Sequence, residues 1–173
     1  FVAVSEAAWQ QIDRIAPQAF YFNLKLHRQK LHDGPDTPWT PANTLIAGLK
    51  ENLDQIRAEG IEQIWRRACL LGEATRAGVT ALGLTVFAQR PASGLTAVAF
   101  GDGLDGGAFL KRLESRFGVK LAGGQGHLKG KICRIAHFGI LDELDILGTL
   151  AAMELVLDEM GRGVVLGAAV AAA

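Results

Sequence analysis

The sequence predicts a mixed helix-and-sheet protein in two lobes: a helical N-terminal lobe and an α+β lobe with a small, mainly antiparallel sheet. Three observations carry this. The hydrophobic period is helical up to about Leu82 and changes to two from Leu84 onward. The order that follows is strand, strand, helix, strand, strand, helix. Two long helical patterns meet end to end at Gly60, which marks a hinge between the lobes.

Element by element, Phe1 to Val4 is a short apolar run stopped by Ser5 and reads as a buried strand leading into a capped helix, Glu6 to Arg14. A buried strand needs neighbours on both sides, so the chain is expected to be the C-terminal part of a longer protein. Phe20 to Leu31 reads as a helix, and His32 to Pro38 as a loop rich in backbone-bending residues. Thr40-Pro41 then opens a helix, a hydroxyl N-cap followed by Pro at the first helical position. Leu45, Ile46, Leu49, Leu53 and Ile56 keep helical spacing to the Gly60 stop. A second long helix runs from Ile61 to Leu82. The strands are Leu84 to Ala88, Leu95 to Phe100, Val119 to Ala122 and Lys131 to Ala136, with helices at Asp105 to Phe117 and from Asp142 to Met160. The Ala-rich tail after Gly161 is expected to fray or to pack on a partner.

Composition narrows the function classes. The chain has 173 residues, 49% hydrophobic and 21% charged, about one domain's worth of globular protein. Eighteen basic residues balance eighteen acidic ones. A formal charge of zero argues against nucleic acid or an anionic membrane as partner. Two cysteines, Cys69 and Cys133, are too few for a disulfide scaffold and fit a reducing, cytoplasmic compartment. The apolar stretch Val164 to Ala173 is too short to cross a bilayer.

Two glycine motifs invite a nucleotide reading and fail it. Gly101 to Gly106 spells G-x-G-x-x-G between a strand and a helix, but Asp102 and Asp105 would face the pyrophosphate, and no acid follows the next strand. A turn with Asp105 capping a helix explains it. Gly123 to Lys131 lacks the Walker spacing, has Ile132 in place of Ser or Thr, and leads into a strand. Its glycines still require the backbone to pass close to a ligand or another chain segment. The four histidines show no metal-ligand spacing, so no metal is expected. Cys133, on a strand, reads as a core filler.

Two residues remain. Arg134 shares a strand face with Ile132 and Ala136, beside the glycine-rich loop, where a guanidinium can hold a carboxylate by two parallel hydrogen bonds. An arginine on the solvent face of the sheet is the alternative. Thr40, at the mouth of a long helix, combines a hydroxyl with free N–H groups and the helix dipole, a spot for an anion. An ordinary helix cap is the alternative there.

Three stretches carry a family likeness: Thr37-Pro38-Trp39-Thr40-Pro41-Ala42-Asn43 through Leu49, the helix pair joined at Glu59-Gly60, and Leu121 through Gly139 with its Arg134-Ile135-Ala136-His137 core. Together they resemble class V aminotransferases, in particular the alanine–glyoxylate and serine–pyruvate group, which includes chains named as the small subunit of soluble hydrogenase. The likeness spans nearly all of Phe1 to Gly161. It implies an α/β, fold-type-I enzyme that uses pyridoxal 5'-phosphate and moves an amino group between alanine or serine and glyoxylate or pyruvate. It also implies a homodimer with its active site at the interface. Residues 1–60 would be the end of the large domain plus an interface helix, 61–161 the small C-terminal domain, and 162–173 the tail. Arg134 matches the family's arginine for the substrate α-carboxylate. Thr40 matches the threonine that reaches the neighbouring subunit's cofactor phosphate. Thr37 stands near a tyrosine that some members also direct at that cofactor.

The departures follow from the same likeness. The family's Schiff-base lysine, and the aspartate under the pyridine nitrogen, would lie upstream of Phe1, so no catalytic residue is assigned here. The 173 residues alone are expected to be inactive. A desulfurase on the same scaffold would need a cysteine on a mobile loop, whereas Cys69 and Cys133 fall in a helix and a strand. A non-catalytic accessory subunit that uses the fold only for association is the alternative from another class.

Overall fold

The computed structural model describes residues 1–34 and 36–173 and divides into two compact units, Phe1–Asp54 and Gln55–Ala173. Pro35, within the expected loop, lies outside the described residues.

In the first unit, Ser5 caps α1 (Glu6–Arg14) by accepting the Ala8 N–H, and Asn23 caps α2 (Leu24–Asp33) by accepting the Leu26 N–H. The Asn23 cap delays α2 relative to the expected start at Phe20. Residues 20–22 serve instead as an aromatic cluster: the Phe20 and Trp39 rings lie 4.6 Å apart, Tyr21 stacks on Trp39, and Trp39 Nε1 donates to the Tyr21 carbonyl. The ends of α1 and α2 are tied together. Lys25 Nζ donates to the carbonyls of Asp13 and Ile15 at 3.0 and 2.7 Å, and Arg28 pairs with Asp13 while lying over the Trp9 ring.

Two expectations for this unit are corrected. Phe1 to Val4 is neither a strand nor buried; Phe1 is fully exposed. A strand is buried only by neighbouring strands, and the described residues of this unit contain none. The third helix, α3 (Asn43–Glu59), begins three residues after Thr40. Its first intrahelical bond runs from the Ile46 N–H to the Ala42 carbonyl, which makes Ala42 the cap, and the Asn43 N–H closes a turn onto the Pro41 carbonyl. Thr40 is therefore not the N-cap, and Pro41 is not the first helical residue.

The second unit holds the core. After Gly60, which turns the chain at φ +89°, come α4 (Ile61–Ala81), β1 (Thr85–Val86), β2 (Leu95–Ala99), α5 (Gly106–Phe117), β3 (Ala122–Gly123), β4 (Ile132–Ala136) and α6 (Glu143–Glu159). The sheet order is β1-β2-β4-β3, and every pair is antiparallel. Alternation sends Val98, Cys133 and Ile135 to a helix-covered core with Val79, Phe109, Leu113, Leu150, Met153 and Val156. β1 is shorter than expected, and β3 falls at Ala122–Gly123 rather than Val119–Ala122. Asp105 caps α5 as expected, and Asp142 with Asp145 forms a reciprocal capping box on α6.

The expected frayed tail is also corrected. It forms α7 (Ala168–Ala172), packed on its own chain: Ala169 is fully buried, and the buried Glu154 carboxylate accepts the N–H groups of Gly167 and Ala169 at 2.9 and 2.5 Å. Gly78 of α4 permits this. A Cβ there would stand 2.5 Å from Leu150 Cδ1 and 3.0 Å from the Ala169 carbonyl oxygen.

Candidate carboxylate-binding site

β4 lies between β2 and β3, so Arg134 is presented on an inner strand. Its partners across the ladders are Ala97 on β2 and Ala122 on β3. Directly opposed residues project from the same face. The two methyl side chains therefore leave the guanidinium flanked but uncovered, and Arg134 is half-buried.

The guanidinium is only partly satisfied. Nη2 donates to the Gly123 carbonyl at 3.1 Å, while Nε is buried without a hydrogen-bond partner. Among the described residues no carboxylate pairs with it. The side chain lines a cleft of about 570 Å³ with Leu95, Lys120, Leu121, Ala136 and Leu141. The cleft's acidic residue, Asp145, is occupied elsewhere, its Oδ2 accepting the Asp142 N–H at 3.0 Å. Lys120 pairs with Glu114 at 3.1 Å. What remains is a fixed cation in a largely apolar cleft, with planar donors suited to a carboxylate.

Thr40 belongs to the first unit and Arg134 to the second. Thr40 is exposed, in the approach to α3, whose first-turn N–H groups have no intrahelical acceptors. The Thr37 hydroxyl is committed to the Trp39 carbonyl at 2.6 Å. Cys133 is fully buried, and burial pushes its thiol up to about 12, which suits a core filler and not a nucleophile. Lys25 is held by two backbone carbonyls as a helix C-terminal clamp.

Sequence reasoning missed one buried polar pair. His137, directly after β4, is fully buried and lies 3.0 Å through Nε2 from Thr96 Oγ1. Burial holds its imidazole below the usual range; the Ser93 carbonyl opposes this and the nearby Arg76 guanidinium adds to it. Period-two alternation puts His137 on the core face of the Cys133 and Ile135 strand, and that was the available signal.

The proteins to which this chain is similar are aminotransferases and chains named for a soluble hydrogenase. The chain is 40% identical over 139 residues to serine–glyoxylate aminotransferase of Arabidopsis thaliana, covering 79% of this chain and 35% of that protein. It is 39% identical over 176 residues to a Synechococcus protein named soluble hydrogenase, small subunit, covering all of this chain and 45% of that one. The crystal structure of pyridoxamine–pyruvate aminotransferase from Mesorhizobium loti superposes with a TM-score of 0.87 at 32% identity, over 98% of this chain and 45% of that one. No family model matches. Its homologues and structural neighbours are class V aminotransferases, and the chain matches the C-terminal portion of their fold. It spans less than half the length of the curated relatives it matches.

Proposed function

We propose that this chain is the substrate-carboxylate half of a pyridoxal-phosphate aminotransferase that exchanges an amino group between alanine or serine and glyoxylate or pyruvate. The observation that carries the reading is Arg134: an inner-strand guanidinium between two alanines, with a buried unpaired Nε and no carboxylate of its own. A bidentate grip on the α-carboxylate, which every such substrate shares, fixes where Cα sits relative to the rest of the site. The apolar cleft walls keep that ion pair from being fully solvated.

The residues present fit part of the cofactor. The exposed Thr40 hydroxyl and the first-turn amides of α3 that follow Asn43, whose own N–H is taken by the Pro41 carbonyl, form a donor set suited to a phosphate, and in a homodimer they would hold the cofactor of the neighbouring subunit. When bound, pyridoxal phosphate supplies the electron sink that makes the Cα proton removable. Lys25, clamped on carbonyls, does not serve as the amine that carries it. We assign no catalytic residue within the chain. The reading includes a cytoplasmic setting, with no nucleic-acid or membrane partner; among the described residues no helix is long and apolar enough to cross a membrane.

The test uses the full-length protein. Acid release of stoichiometric pyridoxal phosphate, with amino transfer from alanine or serine to glyoxylate or pyruvate, is the expected result. A protein that carries no cofactor and transfers nothing would favour the accessory-subunit reading, which the name of the Synechococcus relative supports.

A further inference from the structure

The two glycine motifs that fail as nucleotide loops touch each other. Gly106, the last glycine of the first motif, opens α5, and a Cβ there would lie 2.4 Å from the Gly130 carbonyl oxygen of the second and 2.4 Å from the Phe100 ring. Gly130 takes a positive φ of 74°, where side chains are strained. The Phe100 N–H donates to the Lys131 carbonyl at 3.0 Å, so the far end of the loop is pinned between β2 and α5.

The near end is closed by Gly124. A Cβ on Gly124 would stand 2.1 Å from the Leu128 carbonyl oxygen and 2.9 Å from Ile132 Cγ1, so only glycine fits. The loop folds back to make that contact: the Leu128, Lys129 and Lys131 N–H groups bond to the carbonyls of Gln125, Gly126 and Leu128. Gly124 itself donates to the Ile132 carbonyl at 3.0 Å and continues the β3–β4 ladder.

This matters because the acceptor that fixes Arg134 is a backbone atom of the same segment, the Gly123 carbonyl. β3 has two residues and lies at the edge of the sheet, and so short a strand specifies its position weakly by pairing alone. We propose that the interlocked loops, through Gly124 and Gly106, are positioning elements: they set the Gly123 carbonyl and thereby aim the Arg134 guanidinium for the substrate carboxylate. The inference rests on the carboxylate reading of Arg134. Gly124→Ala would force the Leu128 carbonyl to recede by about an ångström, a displacement on the scale that changes catalysis by up to about a hundredfold.

The readout is discrimination between an amino acid and its amide, measured as the ratio of kcat/KM for L-alanine over L-alaninamide in the full-length enzyme. Arg134→Gln comes first and should lower the ratio. Gly124→Ala should then lower it by about tenfold or more. General destabilisation would depress both substrates and leave the ratio unmoved. A ratio unchanged in Gly124→Ala but lowered in Arg134→Gln overturns the positioning inference and spares the carboxylate reading; a ratio unchanged in both overturns the two together. If Gly124→Ala does not fold, Gly130→Ala serves in its place and is judged by the same ratio; its Cβ meets nothing within 4 Å, and the strain of an alanine at φ +74° is what loosens the loop.

Discussion

Replacing Arg134 with alanine separates function from stability because the structure gives the two effects different sizes. Within the chain the guanidinium makes one hydrogen bond, to the Gly123 carbonyl, and buries one unpaired N–H, at Nε. Losing the bond, whose donor is charged, costs about 1.5–3 kcal/mol, and removing the orphaned donor returns about 1–3 kcal/mol, so folding stability should change little. A carboxylate docked on the fork makes two charge-assisted bonds. Truncating one partner of such a pair costs about 2–5 kcal/mol when fully buried, and the half-buried site belongs at the lower end. The expected outcome is a weakening of amino-acid binding by about 30- to 200-fold with retained cofactor and an unchanged denaturation midpoint. Substrate titration of the full-length enzyme, followed by the absorbance of the bound cofactor, measures the first; urea unfolding measures the second. Unchanged substrate affinity with a lowered midpoint would refute the reasoning and return Arg134 to a structural role.

Thr40→Ala should speed cofactor loss on dilution of the full-length protein, by an amount equivalent to about 1.5–3 kcal/mol for one hydrogen bond to a charged group; unchanged retention would leave Thr40 as a plain loop residue. Glu154→Ala strands the buried Ala169 N–H and leaves that of the exposed Gly167 to water, and should lower stability by about 1–3 kcal/mol, read as a shifted urea midpoint, with Glu154→Gln less damaging because one acceptor survives. His137 gives a pH dependence with a definite sign. Its folded pKa lies below the ordinary 6.5, so below that pH the unfolded chain takes up a proton that the folded chain refuses. Stability is therefore complete above about pH 6.5 and falls on acidification, by at most about 1.4 kcal/mol per pH unit, until the folded imidazole titrates. His137→Gln should flatten that part of the stability profile; a slope unchanged in the variant would assign it to other groups.

The parts legible from sequence are those written by local chemistry. Asp105 three residues before Ala108, and Asp142 three before Asp145, are cap signals whose side chains reach their own backbone, and both caps are present. Cys133 and Arg134 alternate across one strand, which placed them on opposite faces in advance of any structure. The misreadings occur where a distant group decides between local options. Thr40-Pro41 has the spelling of a helix start, but a cap contributes only about 1 kcal/mol, and here a Pro41–Asn43 turn lets Ala42 take the position. Nothing in the composition of the tail distinguishes a frayed end from α7. The deciding group is Glu154, an acid inside the apolar stripe of α6, whose carboxylate gives the tail's N–H groups a buried partner. An isolated acid among Leu150, Met153, Val156 and Leu157 was the cue.

The glycine motifs carry the same lesson into the site. Read singly, each asks for a phosphate, because backbone N–H groups without side chains are what a phosphate loop requires. Read together, each supplies the close neighbour that the other's missing Cβ implies: the Gly130 carbonyl occupies the space at Gly106, and the loop's own Leu128 carbonyl the space at Gly124. At Gly106 and Gly124 the room that a glycine provides is already filled by backbone. What the packing does leave open is the face beside it, where Ala97 and Ala122 are too short to cover Arg134. The small residues of this lobe thus act in opposite ways within a few ångströms, glycines drawing backbone together to fix an acceptor and alanines holding side chains back to expose a cation. A substitution that adds volume at Ala97 or Ala122 should therefore weaken carboxylate binding without disturbing the loop, the converse of a substitution at Gly124.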